Sequence, residues 1–223
     1  EWAGVLGLNS ELLFLQNLSK IEERMFYLYE TISMPQAHTN ILKKISETFT
    51  PNVIYDIGAS TLHWTKAAKN IWPNSEFCAF DAIEEAEKLY KSENIKYNIG
   101  VISDQDNKIV KFYENKENPA GNSYYKEIGH PNSVNVYPEN SYIERKSMTL
   151  ETVVKRNNFL LPDLVKIDVQ GAELDILKGG QTIINKAKYL IIELQNVEYN
   201  RGAPLENVTI EYLQSNGWEI VES

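Results

Sequence analysis

Five short stretches carry the residue types that chemistry needs: Asp56-Ile57-Gly58-Ala59-Ser60, Phe80-Asp81-Ala82, Gly100-Val101-Ile102-Ser103, Asp168-Val169-Gln170-Gly171 and Glu193-Leu194-Gln195. Each closes an apolar run. In a doubly wound sheet, ligands bind beyond the carboxyl ends of the strands where strand order reverses, so such tips are where a site would form. In the first tip, a glycine lets a ligand approach the backbone, and the helix start beyond it favours a carboxylate. Asp81 comes 25 positions after Asp56. At the end of a second strand it is set to accept both hydroxyls of a ribose. Together these tips point to an adenosine-containing ligand.

Proton chemistry falls to the last two tips. Asp168 is the first candidate for a general base, with Glu193 a second carboxylate. Lys166 and Asp168 project to one face of a regular strand at i, i+2, so Lys166 can orient Asp168 or hold it ionised. Plainer roles compete. Asp168 could contact a ligand ammonium or cap the helix beginning near Gln170, Glu173 could contact substrate or answer the dipole in that helix's first turn, and Glu193 could be a structural hydrogen-bond partner. His38, His63 and His130 have the side chain best suited to a neutral-pH base, but inert exposed roles suit them, and their scatter has no metal-ligand spacing. No metal site is assigned, and a carboxylate-bound Mg2+ stays open. Cys78, the single cysteine, sits mid-strand and reads as a core residue. Tyr124, Tyr125, Tyr137 and Tyr142 could stack on a sugar or anchor their loop.

The elements that must carry these tips alternate. After Pro51, strands at 53–57, 76–80 and 95–102 are separated by amphipathic helices at 61–71 and 83–90, the βαβαβ signature of a parallel sheet. A strand at 108–113 is expected to form a hairpin with the one before it across the polar turn 104–107. Residues 114–146 show no lasting period and form a long loop, a lid or a surface excursion. Then follow helix 149–157, strand 164–169, helix 172–178, strand 189–194, helix 207–216 and strand 218–221. Upstream, Leu12, Leu15, Leu18, Ile21, Met25, Leu28 and Ile32 recur at three and four, and Pro35 separates them from a second helix at 36–49. The expected architecture is therefore α/β: a doubly wound, mostly parallel sheet over 51–223 with an N-terminal helical extension over 1–50.

Composition narrows the function. In 223 residues, 22 Lys+Arg against 31 Asp+Glu leave a net charge of −9, which works against a nucleic-acid partner because such affinity comes from cations neutralising phosphates. No window approaches the roughly 18 apolar residues of a membrane span, so a soluble chain, cytoplasmic by default, is expected. The start Glu1-Trp2-Ala3-Gly4 has no initiator Met and no basic leader, which raises the expectation of a larger multidomain chain. Dinucleotides need G-x-G-x-x-G, whereas Gly58-Ala59-Ser60-Thr61-Leu62-His63 has one glycine, and no P-loop motif occurs. S-adenosylmethionine remains, with a ribose, an adenine and a carboxylate but no phosphate.

At these residues the sequence resembles the FkbM-type S-adenosylmethionine-dependent methyltransferases, a branch of the class I, Rossmann-like methyltransferases. The segment from Lys166-Ile167-Asp168-Val169-Gln170-Gly171-Ala172-Glu173 to Gly179 resembles that family's signature, Tyr55-Asp56-Ile57-Gly58-Ala59 its first motif, Ala79-Phe80-Asp81 its second and Asn98 to Asp104 its third. Gly121-Asn122-Ser123 and Met148-Thr149-Leu150 are further landmarks. The resemblance implies methyl transfer to a hydroxyl, with a sugar on a glycan or glycosylated metabolite favoured over a non-sugar small molecule. The candidate cofactor-binding residues are Asp56, Gly58, Ala59, Ser60, Asp81, Ala82, Val101, Ile102 and Asp168. The candidate catalytic residues are Asp168, Lys166 and Glu193. Such enzymes usually carry a second glycine where this chain has Leu62, and Glu-Pro where it has Asp81-Ala82. Leu62 is therefore expected to thicken the first loop, and a cofactor-binding or scaffold module without turnover is the alternative function.

Overall fold

The computed structural model describes residues 10–19, 22–28, 34–116, 119–129 and 133–222. In chain order the elements are β1 (Ser10–Ser19), β2 (Glu22–Leu28), α1 (Met34–Ser46), β3 (Val53–Ile57), α2 (His63–Ile71), β4 (Glu76–Asp81), α3 (Ala86–Ser92), β5 (Lys96–Ile99), β6 (Val101–Ile102) and β7 (Ile109–Phe112). After a 3-10 turn at Pro119–Gly121 come α4 (Ser133–Val136), β8 (Ile143–Met148), α5 (Leu150–Asn157), β9 (Leu164–Ile167), α6 (Glu173–Gly179), α7 (Gln181–Ile184), β10 (Tyr189–Gln195), α8 (Glu206–Ser215) and β11 (Trp218–Glu222).

The main sheet has the order β11-β2-β1-β10-β9-β3-β4-β5, and its five strands from β10 to β5 run parallel. Strands inside a parallel sheet are covered on both faces and read as unbroken apolar runs. Accordingly, every residue of β3 and of β9 is buried. The chain leaves β3 outward through β4 and β5, then returns to β9 and β10 on the other side. The strand order therefore reverses between β3 and β9, which is where such sheets open a crevice.

Two expectations are corrected. The helical extension over 1–50 is met only by α1; residues 10–19 and 22–28 are strands, β1 pairing antiparallel with β10 from Ser10↔Gln195 to Leu15↔Leu190. A short apolar run such as Leu12–Leu15 does not distinguish helix from strand by period, and the free edge of β10 decides it. The expected hairpin is also replaced. β8 lies between β6 and β7, parallel to the first and antiparallel to the second, in a separate three-stranded sheet. The last residues of the predicted long loop are thus a strand, and the insert between β7 and β8 is held at both ends.

Candidate functional site

The first loop is built by exclusion. Gly58 has φ 80, and a Cβ there would stand 1.8 Å from the carbonyl oxygen of Asp168, so no side chain fits. The backbone N–H groups of Gly58 and Ala59 donate to Phe80 O at 2.9 and 3.1 Å, and that of Asp168 donates to Ile57 O at 3.0 Å. Asp81 then locks the first loop to the second: its carboxylate accepts from Ser60 N at 2.7 Å and Ile83 N at 2.9 Å. Burial pushes its pKa upward against those two backbone donors.

Leu62 corrects another expectation. Its backbone is left-handed, φ 63, which is the physical reason a glycine suits this position. Yet its side chain is fully buried in the core and contributes nothing to the cavity wall, so the loop is not thickened toward a ligand. Burying a leucine stabilises by about 1.5–3 kcal/mol, enough to offset about 1–2 kcal/mol of left-handed strain.

Charge collects at the tips of β9 and β10. Lys166 is 3% exposed, and its Nζ lies 3.0 Å from Gly58 O, 3.1 Å from Asp56 Oδ1 and 3.2 Å from Asp168 Oδ2. Burial opposes its charge, but the Asp168 and Asp56 carboxylates outweigh that and hold its pKa above the ordinary lysine range. Asp56, also buried, accepts from Thr65 Oγ1 at 2.5 Å. Ile192 of β10 sits in register with Ile167 of β9, so Glu193 and Asp168 follow side by side. Glu193 is half-buried and lines the cavity described below. Its pKa is pushed well up by burial and then by the charge of Asp168, with which it shares a hydrogen bond.

Between those tips the chain turns through Gln170 at φ 59 and Gly171 at φ 97. Glu173 folds back to accept from Val169 N at 3.1 Å and Gly171 N at 3.2 Å, and burial raises its carboxyl to about 7. It braces the loop from behind. The insert supplies the facing wall: Tyr124 and Tyr125 both donate to Asp175 Oδ2, at 2.9 and 3.0 Å. Asn200 Nδ2 donates to Tyr125 O at 2.7 Å and fixes the insert to the loop after β10.

These loops enclose a cavity of about 220 Å³. At the β4–β6 end its wall is Asp81, Ala82, Ile83, Val101, Ile102 and Phe112; at the β9–β10 end it is Asp168, Gln170 and Glu193, with Gly58 and Ser60 between and Asn122, Ser123 and Tyr124 opposite. Of the sequence-predicted residues, Gly58, Ser60, Asp81, Ala82, Val101, Ile102, Asp168 and Glu193 line it together. Asp56, Ala59 and Lys166 stand behind the wall, buried.

Gln170, Phe112 and the brace at Glu173 went unassigned in the sequence. A glutamine before a glycine at a strand tip was the available signal for the first. His63 is exposed at the start of α2. His38 falls on α1 with its side chain outside the described residues, and His130 also lies outside them. Cys78 is buried, its thiol pushed up to about 12 by burial, consistent with a core residue. Among the four loop tyrosines only Tyr124 lines the cavity; Tyr142 packs on Tyr113 with centroids 5.9 Å apart. Among the described residues no group of three or more His, Cys, Asp and Glu is arranged for a metal, and no helix is long and apolar enough to cross a membrane.

Residues 52–220 match the family model described as the methyltransferase FkbM domain. The chain belongs to the FkbM methyltransferase family. Two solved structures are also similar. A proposed O-methyltransferase from Nostoc punctiforme shares 22% identity over 30% of this chain with a TM-score of 0.24, and the match spans only 22% of that chain. The precorrin-6y C5,15-methyltransferase from Geobacter metallireducens shares 13% identity over 85% of this chain and 74% of its own, with a TM-score of 0.41. No curated protein matches this chain.

Proposed function

We propose that this FkbM-family domain binds S-adenosylmethionine along the carboxyl edge of its sheet and methylates a hydroxyl, that of a sugar in a glycan or glycosylated metabolite. The observation that carries this reading is the row Glu193, Asp168, Gly58, Asp81 and Gly100, contributed by five successive strands to one cavity. The residues fit the cofactor. Each Asp81 oxygen accepts one backbone N–H and keeps a second lone pair for a ribose hydroxyl. The apolar slot of Ile83, Val101, Ile102 and Phe112 suits a flat base.

When bound, the cofactor supplies a methyl group on a positively charged sulfur. The protein's part is positioning and proton management. The acceptor oxygen must stand about 3 Å from the methyl in near-attack geometry, and its proton must leave as the new bond forms. Asp168 is the base. Glu193 holds the proton of the pair, which leaves the Asp168 carboxylate ionised to accept one. Lys166, bound to Asp56 and Gly58 O as well, is a positioning residue that fixes the rotamer and charge of Asp168. Leu62 gives the non-catalytic alternative no support, since its side chain is directed into the core.

Calorimetry with S-adenosylmethionine and S-adenosylhomocysteine, followed by a methyl-transfer assay on sugar and non-sugar hydroxyl acceptors, tests the proposal. Binding and product are expected. Binding without product on any acceptor leaves the scaffold alternative, and no binding overturns the proposal altogether.

A further inference from the structure

Every charged side chain among the described residues of the cavity wall is acidic. Among the described lining residues Asp81, Asp168 and Glu193 carry carboxyls, and no lysine, arginine or histidine lines it. Lys166, the cation behind the wall, is buried, donates to Gly58 O at 3.0 Å and is ion-paired with Asp56 and Asp168 at 3.1 and 3.2 Å, and it does not line the cavity. Glu173 adds a fourth carboxyl just behind Val169 and Gly171. In the loops flanking the β9–β10 end, Lys126 and Arg201 are both committed to Glu139, at 2.7 and 2.8 Å. At the other end Arg145 is held by Ala82 O at 2.9 Å and Glu114 at 3.0 Å.

An anionic acceptor carried into this cavity would meet the Asp168 carboxylate, with no lysine, arginine or histidine among the described lining residues to pair with. One unit charge about 6 Å away at an effective dielectric near 20 changes a binding constant on the order of 100-fold. Resting on the methyltransferase reading above, we infer that the accepting hydroxyl sits on an uncharged or amino-bearing sugar unit, and that sugar phosphates, uronic acids and nucleotide-activated sugars are refused. The reaction supplying the substrate is then a glycosyl transfer, which removes the nucleotide before methylation takes place.

The probes are matched sets: methyl glucoside, glucosamine, methyl glucuronoside and glucose 6-phosphate, with the galactose counterparts. Saturation-transfer NMR in the presence of S-adenosylhomocysteine reports binding, and transfer from a labelled donor reports kcat/KM. Neutral and amino members are expected to exceed acidic ones on the order of tenfold or more. Equal or stronger response from the acidic members, or no response from any neutral one, overturns the inference.

Gln170→Lys sets a cation on the wall at a position already left-handed for a non-glycine residue. It is expected to narrow the neutral-to-acidic ratio on the order of fivefold, and an unmoved ratio counts against the inference. Failure of S-adenosylhomocysteine to bind in calorimetry would instead sink the underlying methyltransferase reading.

Discussion

At the β4–β6 end of the cavity the wall is made of apolar side chains and a carboxylate held by two backbone N–H groups. At the β9–β10 end it is made of carboxyls whose protonation depends on one buried lysine and on one another. The first end is held by neutral packing and by backbone hydrogen bonds to Asp81, each worth about a kilocalorie per mole. The second is a low-dielectric charge network, where removing one partner strands the others. On the proposed reading, recognition and chemistry fall to ends built from different materials, and substitutions at the two ends should have different consequences.

The largest expected effect is on turnover. Asp168→Asn should lower kcat/KM by about 10²–10⁴ while calorimetric cofactor affinity changes little, the range for a lost general base. Equal losses in both would assign Asp168 to the cofactor's ammonium instead. Next comes Lys166→Met, which leaves Asp56 and Asp168 facing each other without a cation and should cost about 3–5 kcal/mol in urea unfolding. A loss well below that would remove the distinction between the ends.

Glu173 makes a pH prediction. Its folded carboxyl is raised from 4.5 to about 7, so its contribution to stability is fully present below about 4.5 and is lost as pH rises through 7. Glu173→Gln keeps the acceptor for Val169 and Gly171 without that loss. It should be more stable than the wild type above neutrality by up to about 3 kcal/mol, with the gap closing toward pH 5 in denaturant titrations. At the other end, Asp81→Ala should weaken cofactor binding by about 1.5–3 kcal/mol in calorimetry. Unchanged affinity would deny it the ribose.

The smallest effect belongs to Leu62→Gly. Relief of left-handed strain, about 1–2 kcal/mol, is set against loss of a buried leucine at about 2.7 kcal/mol or more, so the fold should weaken by about 1–2 kcal/mol in thermal unfolding. Cofactor affinity should stay put, since the side chain faces the core.

Much of this architecture could be read along the chain. The alternation of apolar runs and amphipathic stretches after Pro51 predicted β3, β4, β9 and β10 to within about two residues, and a glycine or an acid after each run marked Gly58, Asp81, Asp168 and Glu193. Two regions did not follow. For β1 the local apolar spacing fits a helix as well as a strand, and pairing with an edge some 180 residues away decides between them. The same holds for β8, which enters between two strands that were expected to pair with each other.

By itself, the sequence determined the sheet, the positions of its tips and the acidic chemistry available there, because strand periodicity and turn chemistry are local properties. Only the tertiary structure decided that Lys166 is buried between Asp56 and Asp168, that burial beside Asp168 pushes the Glu193 pKa up, and that Leu62 faces inward. Burial and Coulomb interaction act through space, and the groups that set them come from strands as far apart in the chain as β3 and β10.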